Sequence, residues 1–221
     1  MIIRKIRSGI LKAQTYIVWD EVSRKGAVID PCGKVGSIMK IIRENDLAIE
    51  YILNTHYHPD HTNGNRTMKR LTGAKILIGR ADAPYLMKRF TKLKLLTLCL
   101  SRSPEPDILI DSDAEIVIGG LVCRIIPTPG HTPGGLCFLI AGKLFTGDTL
   151  FVGDSGATVF PGSDRPALGA SIRWLMAELP DTTEIFPGHD YGVTETSTLR
   201  WEKRHNVNAR EYGYYEGGSA N

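Results

Sequence analysis

The sequence predicts an α/β protein, because short β-prone runs alternate with amphipathic helical stretches and Gly, Pro and Asp punctuate their ends. Residues 15–19 and 26–29 read as two strands of a hairpin around the polar 20–25, closed by the turn signal Pro31-Cys32-Gly33. In 35–44 the apolar Val35, Ile38, Ile41 and Ile42 recur near helical spacing, and 49–53 is a compact strand-like run. The opening is thus β-helix-β. After a polar loop, 65–71 predicts a short helix, 75–78 a strand, and 81–100 a helical stretch that ends in the breaker-rich 101–107. Strands are expected at 115–118, 122–126, 136–140 and 143–145, separated by Gly or Pro. Leu168, Ile172, Leu175, Met176 and Leu179 form the stripe of a helix packed on a sheet, with Ser163 or Asp164 as its cap, and 184–186 is a further strand. The Gly- and Tyr-rich tail 212–221 is expected to fray.

Composition narrows the classes of function. The 221 residues are 42% hydrophobic, ordinary for a globular chain, and are read as a single domain, 1–221. The net charge of +3 spreads 27 Lys and Arg against 24 Asp and Glu with no clustered basic tract, so no nucleic-acid partner is expected. Cys32, Cys99, Cys123 and Cys137 form no CxxC pair and read as buried thiols rather than a zinc knuckle or a redox dithiol. Lys12 and Gln14 interrupt any stretch long enough for a signal peptide, and no run approaches a membrane span. The expectation is a cytoplasmic protein without stable membrane insertion.

The histidines carry the chemistry. Of six, five (His56, His58, His61, His131 and His189) lie in turn-rich segments directly after strands, leaving only His205. In Thr55-His56-Tyr57-His58-Pro59-Asp60-His61 four ligand-type side chains crowd one loop, which Pro59 stiffens. An extended backbone sends His56 and His58 the same way, while Asp60 and His61 lie past a turn and reach a second position, a spacing that suits two metals better than one. The other candidates sit in Gly-flanked loops after strands: Gly130-His131-Thr132-Pro133-Gly134, Gly147-Asp148-Thr149 and Pro187-Gly188-His189-Asp190. Any one of these alone reads as a turn or a core histidine. All of them together point to a metal centre.

In motif order and spacing, H-x-H-x-D-H at 56–61 followed by Gly-His131, Gly-Asp148 and Gly-His189 resembles the metallo-β-lactamase superfamily, from about residue 10 to about 206. The resemblance implies an αββα sandwich, two mixed β-sheets face to face with helices outside and the metals at one edge. It also implies that His56, His58 and His131 bind a first metal, that Asp60, His61 and His189 bind a second, and that Asp148 bridges them. The motifs around Asp148 and His189, with Glu202-Lys203-Arg204-His205-Asn206, are similar to the glyoxalase II and persulfide dioxygenase branch. β-Lactamases of the commonest subclass carry cysteine where Asp148 stands. Two departures bear on glutathione: Ser155-Gly156-Ala157 stands where the branch often has Cys-Gly-Arg, and the stretch after His189 is shorter than the helical region with which glyoxalase II holds that tripeptide.

The expected activity is therefore that of a metal-dependent hydrolase with a metal-bound hydroxide as nucleophile, acting on a small anionic thioester as hydroxyacylglutathione hydrolases do. Asp60 and Asp148 are the catalytic carboxylates, and Asp190 and Thr132 are expected to brace the histidines. Two divalent ions are expected, zinc first, with iron or manganese as alternatives since the donors suit all three. The rivals are a persulfide dioxygenase holding one iron through His56, His131 and Asp148, a lactonase, and a module that kept the fold without chemistry. Residues 81–103, apolar yet studded with Lys88, Arg89, Lys92 and Lys94, read either as a helix pair completing the outer layer or as a lid or homodimer contact over the metal edge.

Overall fold

The computed structural model describes residues 1–9, 11–87, 103–208 and 211. The first half of the chain builds one sheet. Strands β1 (Ile2–Ser8), β2 (Ala13–Trp19), β3 (Lys25–Ile29), β4 (Ala48–Leu53), β5 (Lys75–Gly79) and β6 (Ile108–Ile110) lie side by side in sequence order. β1, β2 and β3 pair antiparallel, and β3 through β6 pair parallel. The parallel steps need crossovers, which the helices α1 (Val35–Glu44) and α3 (Asn65–Thr72) supply. Between them a single turn, α2 (Pro59–Thr62), begins with Pro59 at its first positions, where a missing N–H costs nothing. A second short helix, α4 (Ala83–Leu86), follows β5.

The second half builds the other sheet: β7 (Ala114–Ile118), β8 (Leu121–Pro127), β9 (Leu136–Ile140), β10 (Lys143–Gly147), β11 (Glu184–Pro187) and β12 (Ser197–Thr198), again in sequence order. Only β10 and β11 run parallel, joined through α5 (Arg165–Glu178), and α6 (Leu199–His205) follows β12. Asp164 caps α5, its carboxylate accepting from the Ala167 N–H at 3.0 Å.

Both sheets are mixed, and they stack. Tyr16, Val18, Ile29, Leu53 and Leu77 of the first interlock with Ile118, Ile125, Phe138, Ile140 and Phe145 of the second. Ile38, Met39, Ile42 and Met68 press the helices α1 and α3 onto the far side of the first sheet. Leu168, Ile172, Leu175 and Met176 do the same for α5 on the second. The four layers are those of the αββα sandwich.

The expected elements are present, with additions at the edges, except the helical stretch 81–100, of which only Ala83–Leu86 falls within the described residues. β1, β6, β12 and α6 carry weak patterns: Ile2–Ser8 alternates poorly, and Ile108–Ile110 and Ser197–Thr198 are too short for a period to show. Cys32, Cys123 and Cys137 are free and buried, as expected; Cys99 lies outside the described residues. So do residues 88–102, which hold most of the segment read as a lid, dimer contact or helix pair, and the tail 212–221. Among the described residues no helix is long and apolar enough to cross a membrane.

Candidate metal centre

The ligand-type side chains stand where strands end. His56 follows β4, His131 follows β8, Asp148 comes straight after β10, and His189 lies two residues past β11. Three of these exits, those of β4, β10 and β11, belong to parallel-paired strands, whose ends a sandwich presents at one edge. His56, His58 and His131 bring one donor atom each within 4.8 Å of one another, and so do Asp60, His61 and His189. These are the residues of the two trios that the family resemblance implies; Asp30, His56 and His61 form a third group of the same spacing. Asp148 spans them: Oδ1 lies 3.3 Å from His61 Nε2, and Oδ2 lies 3.5 Å from His131 Nε2 and 3.4 Å from His189 Nε2. His205 is elsewhere, on α6, stacked on Trp201.

Four of the five rings are turned by a hydrogen bond on the far side. His131 Nδ1–H donates to the Ala157 carbonyl and His189 Nδ1–H to the Leu11 carbonyl, both at 2.7 Å, which leaves Nε2 of each ring as the donor atom facing the cluster. His56 Nδ1–H donates to Thr55 Oγ1 at 3.0 Å, whose own proton goes to Asp30 Oδ2 at 2.5 Å. His61 Nδ1–H donates to Asp30 Oδ2 at 3.1 Å. His58 faces the cluster through Nδ1, 3.0 Å from His131 Nε2.

The fit to metal ions rests on what is left over. His56 Nε2 and Asp148 Oδ1 are buried and have no hydrogen-bond partner. Buried polar atoms are ordinarily satisfied, and orphaned lone pairs converging from imidazole and carboxylate are the donor set of a divalent transition metal.

Charge follows the same geometry. Burial, with the neighbouring His61, holds His56 well below the usual imidazole value, and burial beside His131 brings His58 down to about 4. Burial also works against the charged form of His61, but the carboxylates of Asp148, Asp60 and Asp30 outweigh it and raise that ring to about 10. Burial would raise Asp148, yet the imidazoles of His61 and His189 keep it well below the ordinary carboxylate range.

Two expected braces are not there. Asp190 pairs with Arg7, and the Thr132 hydroxyl donates to Asp82 Oδ2 at 2.8 Å rather than to a histidine. Sequence reasoning instead missed two acids that hold the loops. Asp30, at the end of β3 with φ of 46°, accepts from Thr55 N–H at 2.8 Å as well as from Thr55 Oγ1 and His61. Its signal was an acid directly after the apolar run Ala27–Ile29 and before Pro31. Asp82 accepts from Tyr57 N–H at 3.0 Å, Gly134 N–H at 2.7 Å and Thr132, tying the 56–61 loop to the 130–134 loop. Nothing local in the sequence marks it, because its partners are distant in the chain.

Backbone closeness matters at one glycine in particular. A Cβ on Gly188 would stand 2.5 Å from Asp148 Oδ1, so only glycine lets the β11 loop pass the central carboxylate.

Comparison with known proteins agrees with the fold. The family model described as "Metallo-beta-lactamase superfamily" matches residues 9–189. The probable polyketide biosynthesis zinc-dependent hydrolase PksB of Bacillus subtilis is 28% identical over 87% of this chain and 79% of its own length. A hydroxyacylglutathione hydrolase of Anaeromyxobacter dehalogenans is 33% identical over 76% of this chain and 58% of its own. The crystal structure of ETHE1 from Myxococcus xanthus superposes with a TM-score of 0.81 at 27% identity, covering 97% of this chain and 88% of the other.

Proposed function

The chain belongs to the metallo-beta-lactamase superfamily, and on that premise we propose that it hydrolyses a thioester with two divalent metal ions, zinc by preference. The observation that carries the reading is the position of Asp148 between two donor trios, with orphaned lone pairs around it. In this reading His56, His58 and His131 hold one ion, Asp60, His61 and His189 the other, and Asp148 is shared. Ions held there would supply a Lewis acid for the substrate carbonyl and a water of lowered pKa.

The protein's own side chains then have defined tasks. The Asp60 side chain is one-third exposed, so in this reading it faces incoming water and substrate. It orients the attacking water and accepts its proton as the tetrahedral intermediate collapses. A C–O bond forms, the C–S bond breaks, and the electron pair leaves on sulfur as a thiolate that needs little help from an acid. Asp30, through Thr55 and His61, keeps two of the rings in the tautomer that exposes Nε2. Three buried free thiols are in keeping with a reducing, cytoplasmic setting.

Chelation should abolish thioester hydrolysis, and zinc, manganese or iron should restore it with no oxygen consumed. An oxygen electrode run beside the thiol-release assay checks this. Stoichiometric oxygen uptake on a persulfide, restored by ferrous iron alone, would replace the hydrolase reading with the dioxygenase one.

The trios should also differ in how binding responds to pH. His56 and His58 are already neutral near pH 7, whereas His61, raised to about 10, must give up its Nε2 proton before it can act as a ligand. Affinity for one ion should therefore rise about tenfold per pH unit from neutrality toward pH 10, while affinity for the other stays flat on account of His56 and His58. Titration calorimetry in buffers of different ionisation enthalpy reads the proton released. Equal and pH-independent uptake of both ions would contradict it.

A further inference from the structure

The open side of the cluster is bordered by apolar side chains that the fold does not bury. Phe160 is 45% exposed, Val159 beside it 80%, Tyr191 52% and Leu11 42%. Single exposed apolar residues are unremarkable, but these share one place. Phe160 packs its ring against His58, with centroids 5.0 Å apart, and stands 6.1 Å from His131. Tyr191 lies flat on His189, with centroids 4.8 Å apart and planes 5° from parallel. Leu11 gives the carbonyl that turns His189. One aromatic ring thus leans on each donor trio.

Beside Tyr191, the Arg7 guanidinium is engaged by Asp190, and Ala157, three residues before Phe160, carries no charge. The loop that brings Phe160 is also firmly seated. Ser163 Oγ–H donates to the His131 carbonyl at 3.0 Å, and a Cβ on Gly162 would stand 3.0 Å from the Pro133 ring. The exposed ring is therefore held in position rather than left on a loose tip.

We propose that Phe160 and Tyr191 are the walls of an acyl pocket, and that the chain selects thioesters whose acyl group is apolar, an alkyl or aryl chain rather than a charged or polyhydroxylated one. The inference rests on the thioesterase reading above and specifies its substrate class. An apolar acyl chain between the rings removes their faces from water and sets the thioester carbonyl at the donor cluster. The polar carrier of the thiol points away toward solvent.

The test uses the metal-loaded protein and thioesters of one thiol, N-acetylcysteamine, with acetyl, butanoyl, hexanoyl and phenylacetyl groups. It is paired with calorimetric binding of the non-hydrolysable thioether S-hexyl-N-acetylcysteamine. For the wild type kcat/KM should rise at least 10-fold or so from acetyl to hexanoyl, the scale on which an apolar pocket discriminates by methylene groups. Phe160→Ala should reduce the hexanoyl-to-acetyl ratio by about 10-fold and weaken the thioether to a similar degree, whereas Phe160→Leu should keep most of both. A wild type indifferent to acyl length, or a ratio and a thioether affinity unchanged in Phe160→Ala, would overturn the pocket and leave the thioesterase reading standing. Failure to hydrolyse any of these thioesters would sink that reading instead, and the thioether arm would then decide the pocket alone.

Discussion

Asp148→Asn is expected to lower metal content and turnover together, each by at least roughly the 10- to 100-fold that a lost supporting contact costs elsewhere. The reason is local. Asp148 presents two carboxylate oxygens to Nε2 of His61, His131 and His189 at 3.3 to 3.5 Å, and against its burial the imidazoles of His61, His189 and His56 hold it ionised. An amide of the same shape removes the negative charge and turns an N–H₂ group toward nitrogens that already crowd the space. His205→Ala is the control, since that ring only stacks on Trp201 and donates to its carbonyl. Metal analysis and thiol release on both variants check the prediction. Equal metal and equal turnover in the pair would mean that the ligand assignment is wrong.

The other large effect is expected at Asp30, which touches no proposed ion. Its carboxylate collects three donors, Thr55 N–H, the Thr55 hydroxyl and His61 Nδ1–H, at a site only 1% exposed. Asp30→Ala removes the acceptor of all three, leaves the Thr55 hydroxyl only its contact with His56, and frees His61 to change tautomer. The stability loss should be about 3 to 5 kcal/mol, the range for breaking a buried charged pair. Asp30→Asn should fall between, because an amide accepts from some of the donors and opposes the rest. Denaturant unfolding of metal-free protein measures the first quantity, and metal affinity should drop a further 10- to 100-fold. A change in stability within about 0.5 kcal/mol, the range of ordinary surface substitutions, would deny Asp30 its role.

What was legible in the sequence follows from how far each signal reaches. The ligands could be read because the fold hangs them on strand exits, where glycine and proline flank a residue type that has no other reason to cluster. The helical stripe of α5 and the apolar strands of both sheets carry their period within ten or so residues. β1 escaped notice because an edge strand need not alternate: Ile2, Ile3 and Ile6 are each half-buried and Arg4 is exposed. Asp30 and Asp82 escaped for a different reason. Each acts through partners 25 to 52 residues away, and no periodicity encodes a contact across that distance. The same reach explains why Asp190 and Thr132, adjacent in sequence to His189 and His131, were expected to brace them and do not. Adjacency in the chain placed them on the wrong side of their loops.

The boundary between the sheets has a consequence of its own. Every strand up to β6 belongs to one sheet and every strand from β7 belongs to the other, so the chain divides at the short link between Ile110 and Ala114. His56, His58, Asp60 and His61 fall on the first side of that link, and His131, Asp148 and His189 on the second. Each proposed ion would therefore draw ligands from both halves, acting as a rivet through two plates that also meet through their greasy faces and through polar ties such as Asp82 with Thr132 and Gly134, and Arg7 with Asp190. A backbone cut at the link would turn the protein into two pieces whose reassembly should be strengthened by metal supply, a coincidence detector made from the plan of the fold.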